Sequence, residues 1–385
     1  MDPDNGRRPF SPLLHLVLPE MALGVVITLR APWLAKLVAS FSLIAWVVYT
    51  LVSTDTGKAV DNYAVGSAVL GNTLFNTILF LCFTDPITEL RHLRTPEPAL
   101  SERSFLARFW NALCLVRNNR LIGWNAQVPN VPPATTSKAL FFRRRVLQLL
   151  SSAFLVDLTE SFVYPYRHFY DDPPPPGLAG YVLRSGTTFV WLVMTYAILK
   201  MFYNIASILA VALYLSEPQD WPDTFGSWKD AYTLRRLWGR TWHQNLRRHF
   251  HAWGARAIRV LGIPRGTFLS SQVQLHTAFA VSAPLHSCGD LMLGVHHFGR
   301  SLPFFAANAV AIAVEDVCTR VFGAALGGGP RTRTRRAWRV VGYVWVAAFM
   351  SVAGPPYVQW HFESGVVAEP VLPVSPLQRF VFPFL

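Results

Sequence analysis

A chain of 385 residues that is 52% hydrophobic, 14% aromatic and only 15% charged is too apolar for an ordinary soluble protein, in which the charged share is about 25%. Its net charge of +13 would suit nucleic acid, but no nucleic-acid-binding fold or motif accompanies that charge. Of its 35 Lys and Arg residues, 24 fall in three stretches, 85–145, 216–267 and 326–339, separated by runs almost free of charge. A soluble domain would scatter them over its surface. The pattern predicts an all-α, polytopic bundle in the lipid bilayer, with about eight or nine transmembrane helices forming one domain over 1–385.

In chain order, the N-terminal MDPDNGRRPF lacks the apolar core and cleavage site of a signal peptide, so the first membrane helix is expected to do the targeting. A span near 11–29 carries Glu20 after Pro19, and spans 37–54 and 62–84 are free of Asp, Glu, Lys and Arg. Residues 146–163 carry Asp157 and Glu160. Residues 185–216 hold one charge, Lys200, and suit one tilted helix or a broken pair. Spans 266–289 and 340–362 are again uncharged, whereas 301–325 carries Glu315 and Asp316. Carboxylates at membrane depth are costly unless they face the bundle interior or water, so these three helices are expected to line a cavity or lie near an interface.

Parity gives the topology. If 62–84 ends in the cytosol, all three basic stretches fall on that side, as the positive-inside rule requires. The acidic, proline-rich loop around 166–180 and the tail after 363 fall on the other, and Arg7 and Arg8 are the one dissent. The four cysteines are far apart with no C-x-x-C pair, so they read as small buried hydrophobes. The low-complexity pieces are Pro173–Pro176 and the Gly327–Gly329 turn.

Within the second basic stretch, residues 228–260 read as one long amphipathic helix lying in the membrane interface. Leu234, Trp238, Trp242, Leu246, Phe250 and Trp253 recur at spacings of three and four, while Arg236, Arg240, His243 and Arg247 follow the same spacing on a neighbouring face. Such a helix serves either as a surface anchor or as one wall of a site. His286 lies toward the end of an uncharged span, where an imidazole suits either a general base or a packing contact. Asp290, one turn later, would orient that ring or merely mark the membrane edge.

Other chemistries fit poorly. The run from His286 to Asp290 matches H-x-x-x-D, a pattern that arises easily by chance and does not belong in a hydrophobic span. His243, His249 and His251 fall on different helix faces with no carboxylate or thiolate near in sequence, so no metal site is expected. Asp171 and Asp172 fall on the wrong side for magnesium-diphosphate chemistry and run into prolines. Neither G-x-x-x-x-G-K-[ST] nor G-x-S-x-G occurs.

The segment DAYTLRRLWGRTWHQNLRR, 230–248, resembles the signature of wax-synthase-type membrane-bound O-acyltransferases. AVSAPLH, 280–286, is similar to that family's Ser-Gly-x-x-His helix, with Ala283-Pro284 replacing the Gly-centred pair. RLIGWNAQVPNVP, 120–132, and Glu315-Asp316 resemble the filamentous-fungal branch, whose members are frequently O-acetyltransferases of terpenoid or meroterpenoid pathways. The signature region covers about 216–300, and together these matches span most of the chain in the correct order. The resemblance implies acyl transfer from a coenzyme A thioester, acetyl-CoA foremost, to a hydrophobic alcohol at an endomembrane such as the endoplasmic reticulum. Long-chain wax-ester synthesis is the alternative, and a non-enzymatic transporter a more distant one. In this reading His286 is the general base, and His243 polarises the acyl donor or developing oxyanion. Arg236, Arg240 and Arg247 meet the coenzyme A phosphates, and Trp238 and Trp242 shape the chamber. No bound cofactor and no acyl-enzyme are implied, which leaves Ser282 and Cys288 as packing residues.

Overall fold

A computed structural model describes residues 6–94, 100–166, 176–325 and 332–380; residues 167–175 of the proline-rich loop and the Gly327–Gly329 turn lie outside them. The chain is an all-α polytopic bundle. Its main helices, in order, are α1 (Leu13–Leu29), α2 (Trp33–Ser53), α3 (Ala59–Phe83), α4 (Phe105–Arg117) and α5 (Lys138–Tyr166). They continue with α6 (Gly177–Ala212), α7 (Arg247–Val260), α8 (Phe268–Leu293), α9 (Leu302–Ala325) and α10 (Thr332–Glu363). Among the described residues, six helices are long and apolar enough to cross a membrane: α2, α3, α5, α6, α9 and α10. Helix α1 is shorter, and α8, at 26 residues, occupies the remaining predicted span. Residues 185–212 form part of one unbroken helix, α6, rather than a broken pair, and 213–216 turn out of its end.

The chain divides into two compact units, Met1–Pro129 with Asn245–Val310, and Asn130–Gln244 with Ala311–Leu385. In the first, α3 and α8 approach too closely for side chains between them. A Cβ on Gly66 would sit 2.6 Å from the Cys288 carbonyl oxygen, and one on Gly289 would sit 2.7 Å from the Tyr63 ring. Small residues permit this contact, the usual device for bringing membrane helices together. Helix α8 starts where Thr267 caps the Ser270 N–H at 3.1 Å. At its other end Arg7 donates to the carbonyls of Met292 (2.6 Å) and Leu291 (3.3 Å). The dissenting Arg7 therefore neutralises a helix C-terminus, where the macrodipole favours a cation.

Helix α7 is tied to this unit by two adjacent buried residues. Arg248 donates to the last carbonyls around the end of α4 and to two asparagines, Asn76 and Asn119. His249 bonds Asn72 through Nε2 at 3.1 Å, and Asn72 donates to Asn119 at 3.1 Å. Burial, and secondly the Arg248 charge, hold the His249 imidazole well below its usual range. His249 thus stays neutral in the fold, while an unfolded chain takes up a proton there below about pH 6.5. The folded state therefore loses stability as pH falls from that point toward the native value. Detergent-solubilised protein should melt lower at about pH 5.5 than at about pH 7.5, and His249→Gln should flatten part of that slope. Equal slopes in the two proteins would remove His249 from the account.

In the second unit, the carboxylates of α5 receive the C-terminal tail. Asp157 accepts from the Ser375 hydroxyl and, at 3.1 Å, from the Leu377 N–H, while Glu160 accepts from the Val371 N–H at 2.6 Å. Helices α6 and α10 pack closely at Gly354, where a Cβ would meet the Thr188 side chain at 2.3 Å. In the first unit, Glu20 on α1 pairs with Arg117 at 2.6 Å. The expensive membrane carboxylates are thus bonded, as their cost demands.

Candidate active site

The expected single helix over 228–260 does not form. A short helix, Leu234–Arg236, passes into a wide turn, Leu237–Thr241, and Trp242 is then extended (φ −66°, ψ 155°) before α7 begins. The break is made by tertiary hydrogen bonds. A continuing helix would offer the Thr241 carbonyl to Asn245, but the Gly226 N–H takes it at 2.9 Å. Gln244 donates to the carbonyls of Trp238 and Trp242. Gly226 has to be glycine, because a Cβ there would lie 2.1 Å from the Arg240 carbonyl oxygen.

The front of this segment is held by α9. Glu315 accepts the backbone N–H groups of Leu234 (2.7 Å) and Arg235 (3.1 Å) and the Trp345 indole N–H (3.0 Å). Asp316 takes the Arg235 guanidinium in a two-pronged pair. These carboxylates neutralise the positive end of a short helix and fix where the next residues point.

Those residues help line a half-open chamber of about 460 Å³ within the second unit, lined almost wholly by apolar groups. Trp228, Trp238 and Trp242 form one wall, and Tyr196, Tyr343 and Met350 also line it. Trp238 and Trp242 meet with ring centroids 5.7 Å apart at 67°, the edge-to-face arrangement aromatic rings prefer. His243 is half-buried beside this wall, its ring 5.8 Å from Trp242 and 6.0 Å from Phe225. The tryptophans and His243 are therefore brought together. The arginines are not: Arg236 binds Asp230 at 2.5 Å, Arg240 is exposed, and Arg247 donates to His251 at 3.2 Å. With the helix broken, Arg247 no longer shares a face with the other two.

His286 belongs to the first unit, on α8. The helix runs unbroken through Pro284, which is exposed, while His286 is half-buried. Two residues at 3.6 per turn lie about 200° apart, so the proline's missing N–H falls on the opposite face from the imidazole. Nδ1 of His286 lies 3.5 Å from the Tyr63 hydroxyl, and Phe305 stacks on the ring at 4.6 Å and 21°. Asp290 does not orient the ring. Its two oxygens accept from the Ser301 N–H (2.9 Å) and hydroxyl (2.6 Å), closing the turn after α8. Sequence reasoning missed Tyr63, Phe225 and Arg248. Tyr63 carried one available signal: it is a polar aromatic group at the second position of the uncharged span 62–84.

With this geometry established, comparison with known proteins places the chain. A family model described as "Membrane bound O-acyl transferase family" matches residues 221–307, which include the chamber wall, His243 and His286. The acetyltransferase eriL of Hericium erinaceus is 28% identical over 340 residues, 86% of each chain. The acetyltransferase ple2 of Rhodocybe pseudopiperita is 29% identical over 357 residues, 91% of each. The acetyltransferase ataH of Aspergillus terreus is 30% identical over 272 residues, 65% of this chain and 88% of its own. No solved structure matches. The chain belongs to the membrane-bound O-acyl transferase family. It is a multi-pass membrane enzyme of acyl transfer, a reaction whose general donor is an acyl-CoA.

Proposed function

We propose that the protein moves an acetyl group from acetyl-CoA to the hydroxyl of a lipophilic alcohol, of terpenoid or meroterpenoid type, in secondary-metabolite biosynthesis at the endoplasmic reticulum or another endomembrane. The observation that carries this reading is the chamber. Its volume of about 460 Å³ and its aromatic walls suit a rigid hydrocarbon body, within the range usual for small-molecule sites. The acetyl group is supported by the relatives, which are named acetyltransferases.

In the reaction, His286 Nε2 takes the proton of the acceptor hydroxyl as its oxygen attacks the thioester carbonyl. The carbon–sulfur bond then breaks, and the proton passes to the departing thiolate, giving ester and free coenzyme A. His243 donates to the developing oxyanion. Trp238 and Trp242 hold the acceptor's apolar body. Among the arginines, the exposed Arg240 is the best placed for coenzyme A phosphates, because Arg236 is bonded to Asp230 and Arg247 to His251.

Membranes bearing the protein, supplied with acetyl-CoA or palmitoyl-CoA and with a polycyclic or a fatty alcohol, should yield the acetylated polycycle. Palmitoyl transfer to the fatty alcohol, with no acetylated polycycle, would overturn the assignment in favour of wax-ester synthesis. His243→Ala should lower turnover roughly a hundredfold, as lost oxyanion donors do.

A further inference from the structure

We propose that Tyr63 is the positioning residue of His286: its phenolic oxygen accepts a hydrogen bond from the Nδ1–H and so reserves Nε2 as the basic nitrogen. This rests on the reading of His286 as the general base. A neutral imidazole carries one proton, and which nitrogen holds it is decided by the partner of the other. The Tyr63 oxygen lies 3.5 Å from Nδ1. An acceptor there favours the tautomer with the lone pair on Nε2, the form that can take the alcohol's proton.

Three further observations fix the pair. The glycine contact between α3 and α8 presses the Tyr63 ring and carbonyl against Gly289, three residues beyond His286, leaving no space even for a methyl group. Ser67 donates to the Tyr63 carbonyl at 2.7 Å. On the other side, Phe305 lies nearly parallel to the imidazole and limits its rotation. The nearest carboxylate in sequence, Asp290, is fully buried and bonded to Ser301. A phenol also suits the location. It offers an acceptor lone pair without placing an ionised group in the apolar bundle, where charge is expensive. No bond to Tyr63 forms or breaks in the reaction; the transferred proton goes from alcohol to Nε2 to thiolate.

The test is Tyr63→Phe, which keeps the ring and removes the oxygen, assayed beside His286→Ala in membranes and after detergent extraction. The expected result is a kcat lowered roughly ten- to a hundredfold, part of the hundred- to ten-thousandfold that a positioned base supplies. KM for donor and acceptor should stay within about twofold of the parent, with an unchanged melting temperature. A parent-like kcat overturns the proposal. A raised KM at constant kcat also overturns it, since Tyr63 would then be touching substrate. Failure of the variant to accumulate makes Tyr63 a packing residue and equally overturns it. His286→Ala separates the two readings. If it is inactive while Tyr63→Phe is normal, only the tyrosine assignment fails; if it is active, the general-base reading fails with it.

Discussion

Replacing His286 by alanine should abolish turnover while the protein still accumulates and inserts. The side chain is half-buried, so removing it opens a modest space on α8. The helix itself is held by the glycine contact with α3, by Thr267 at its start and by Arg7 at its end, none of which involves the imidazole. Chemically the loss is severe, because an alcohol is a weak nucleophile until a base takes its proton, and such a base contributes about a hundred- to ten-thousandfold. The measurement is product formed per unit of immunodetected protein in membranes. Substantial residual turnover would refute the base assignment, and a variant that fails to accumulate would favour a packing histidine.

Arg248→Leu should have the largest effect on stability. The Arg248 guanidinium is buried and donates to the carbonyls of Leu115 (2.9 Å), Asn118 (3.1 Å) and Val116 (3.2 Å) and to the side chains of Asn119 (3.3 Å) and Asn76. Burial pulls its pKa down to about 9, so it remains charged at neutral pH. Three of its acceptors are carbonyls at or just beyond the C-terminus of α4, which have no further helical N–H to meet. A leucine would leave the Leu115 carbonyl and the Asn76 side-chain oxygen unpaired in an apolar interior, at a cost of about 1–3 kcal/mol each, while Val116, Asn118 and Asn119 would keep their donors Asn76, Leu121 and Asn72. Lysine would not rescue it, because one ammonium cannot span acceptors arranged for a planar fork. The check is protein level and melting temperature after detergent extraction, beside exposed Arg240→Leu, which should change stability by no more than about 0.5 kcal/mol. An Arg248→Leu protein that melts with the parent would sink this account.

These two residues mark what a reader of the sequence can and cannot see. The membrane helices were legible because charge-free runs of sufficient length admit few other structures. His286 was legible because it stands near the end of an uncharged run, within AVSAPLH, ten residues beyond that run's other imidazole, His276. Arg248 was not, since Arg247-Arg248-His249 reads as a solvated basic face. What buries it is α4, more than 100 residues earlier in the chain. The break at Trp242 was equally hidden. Residues 228–260 keep helical periodicity throughout, and the hydrogen bonds that end the helix come from Gly226 and the Gln244 side chain. Glu315 and Asp316 were noticed as costly carboxylates, but a cost does not reveal its compensation. Their partners, the backbone N–H groups of Leu234 and Arg235 for Glu315 and the Arg235 guanidinium for Asp316, are specified only by tertiary structure.

The cap that Arg7 places on the end of α8 bears on how the chain is made. Its two acceptors lie at positions 291 and 292, so they do not exist until some 285 residues after the arginine has left the ribosome. Throughout that interval Arg7 and Arg8 stand ahead of the first apolar segment without that cap, and positive charges so placed favour a cytosolic terminus. On the topology expected from the positive-inside rule, parity requires this terminus to end on the opposite side. The charges that decide orientation act near the membrane as each loop emerges, and later ones can reverse an earlier choice. On that expected topology, biogenesis of this enzyme is a contest between a local signal at the start and a larger one that begins near Arg91. The cap seals the outcome only once the eighth helix is in place.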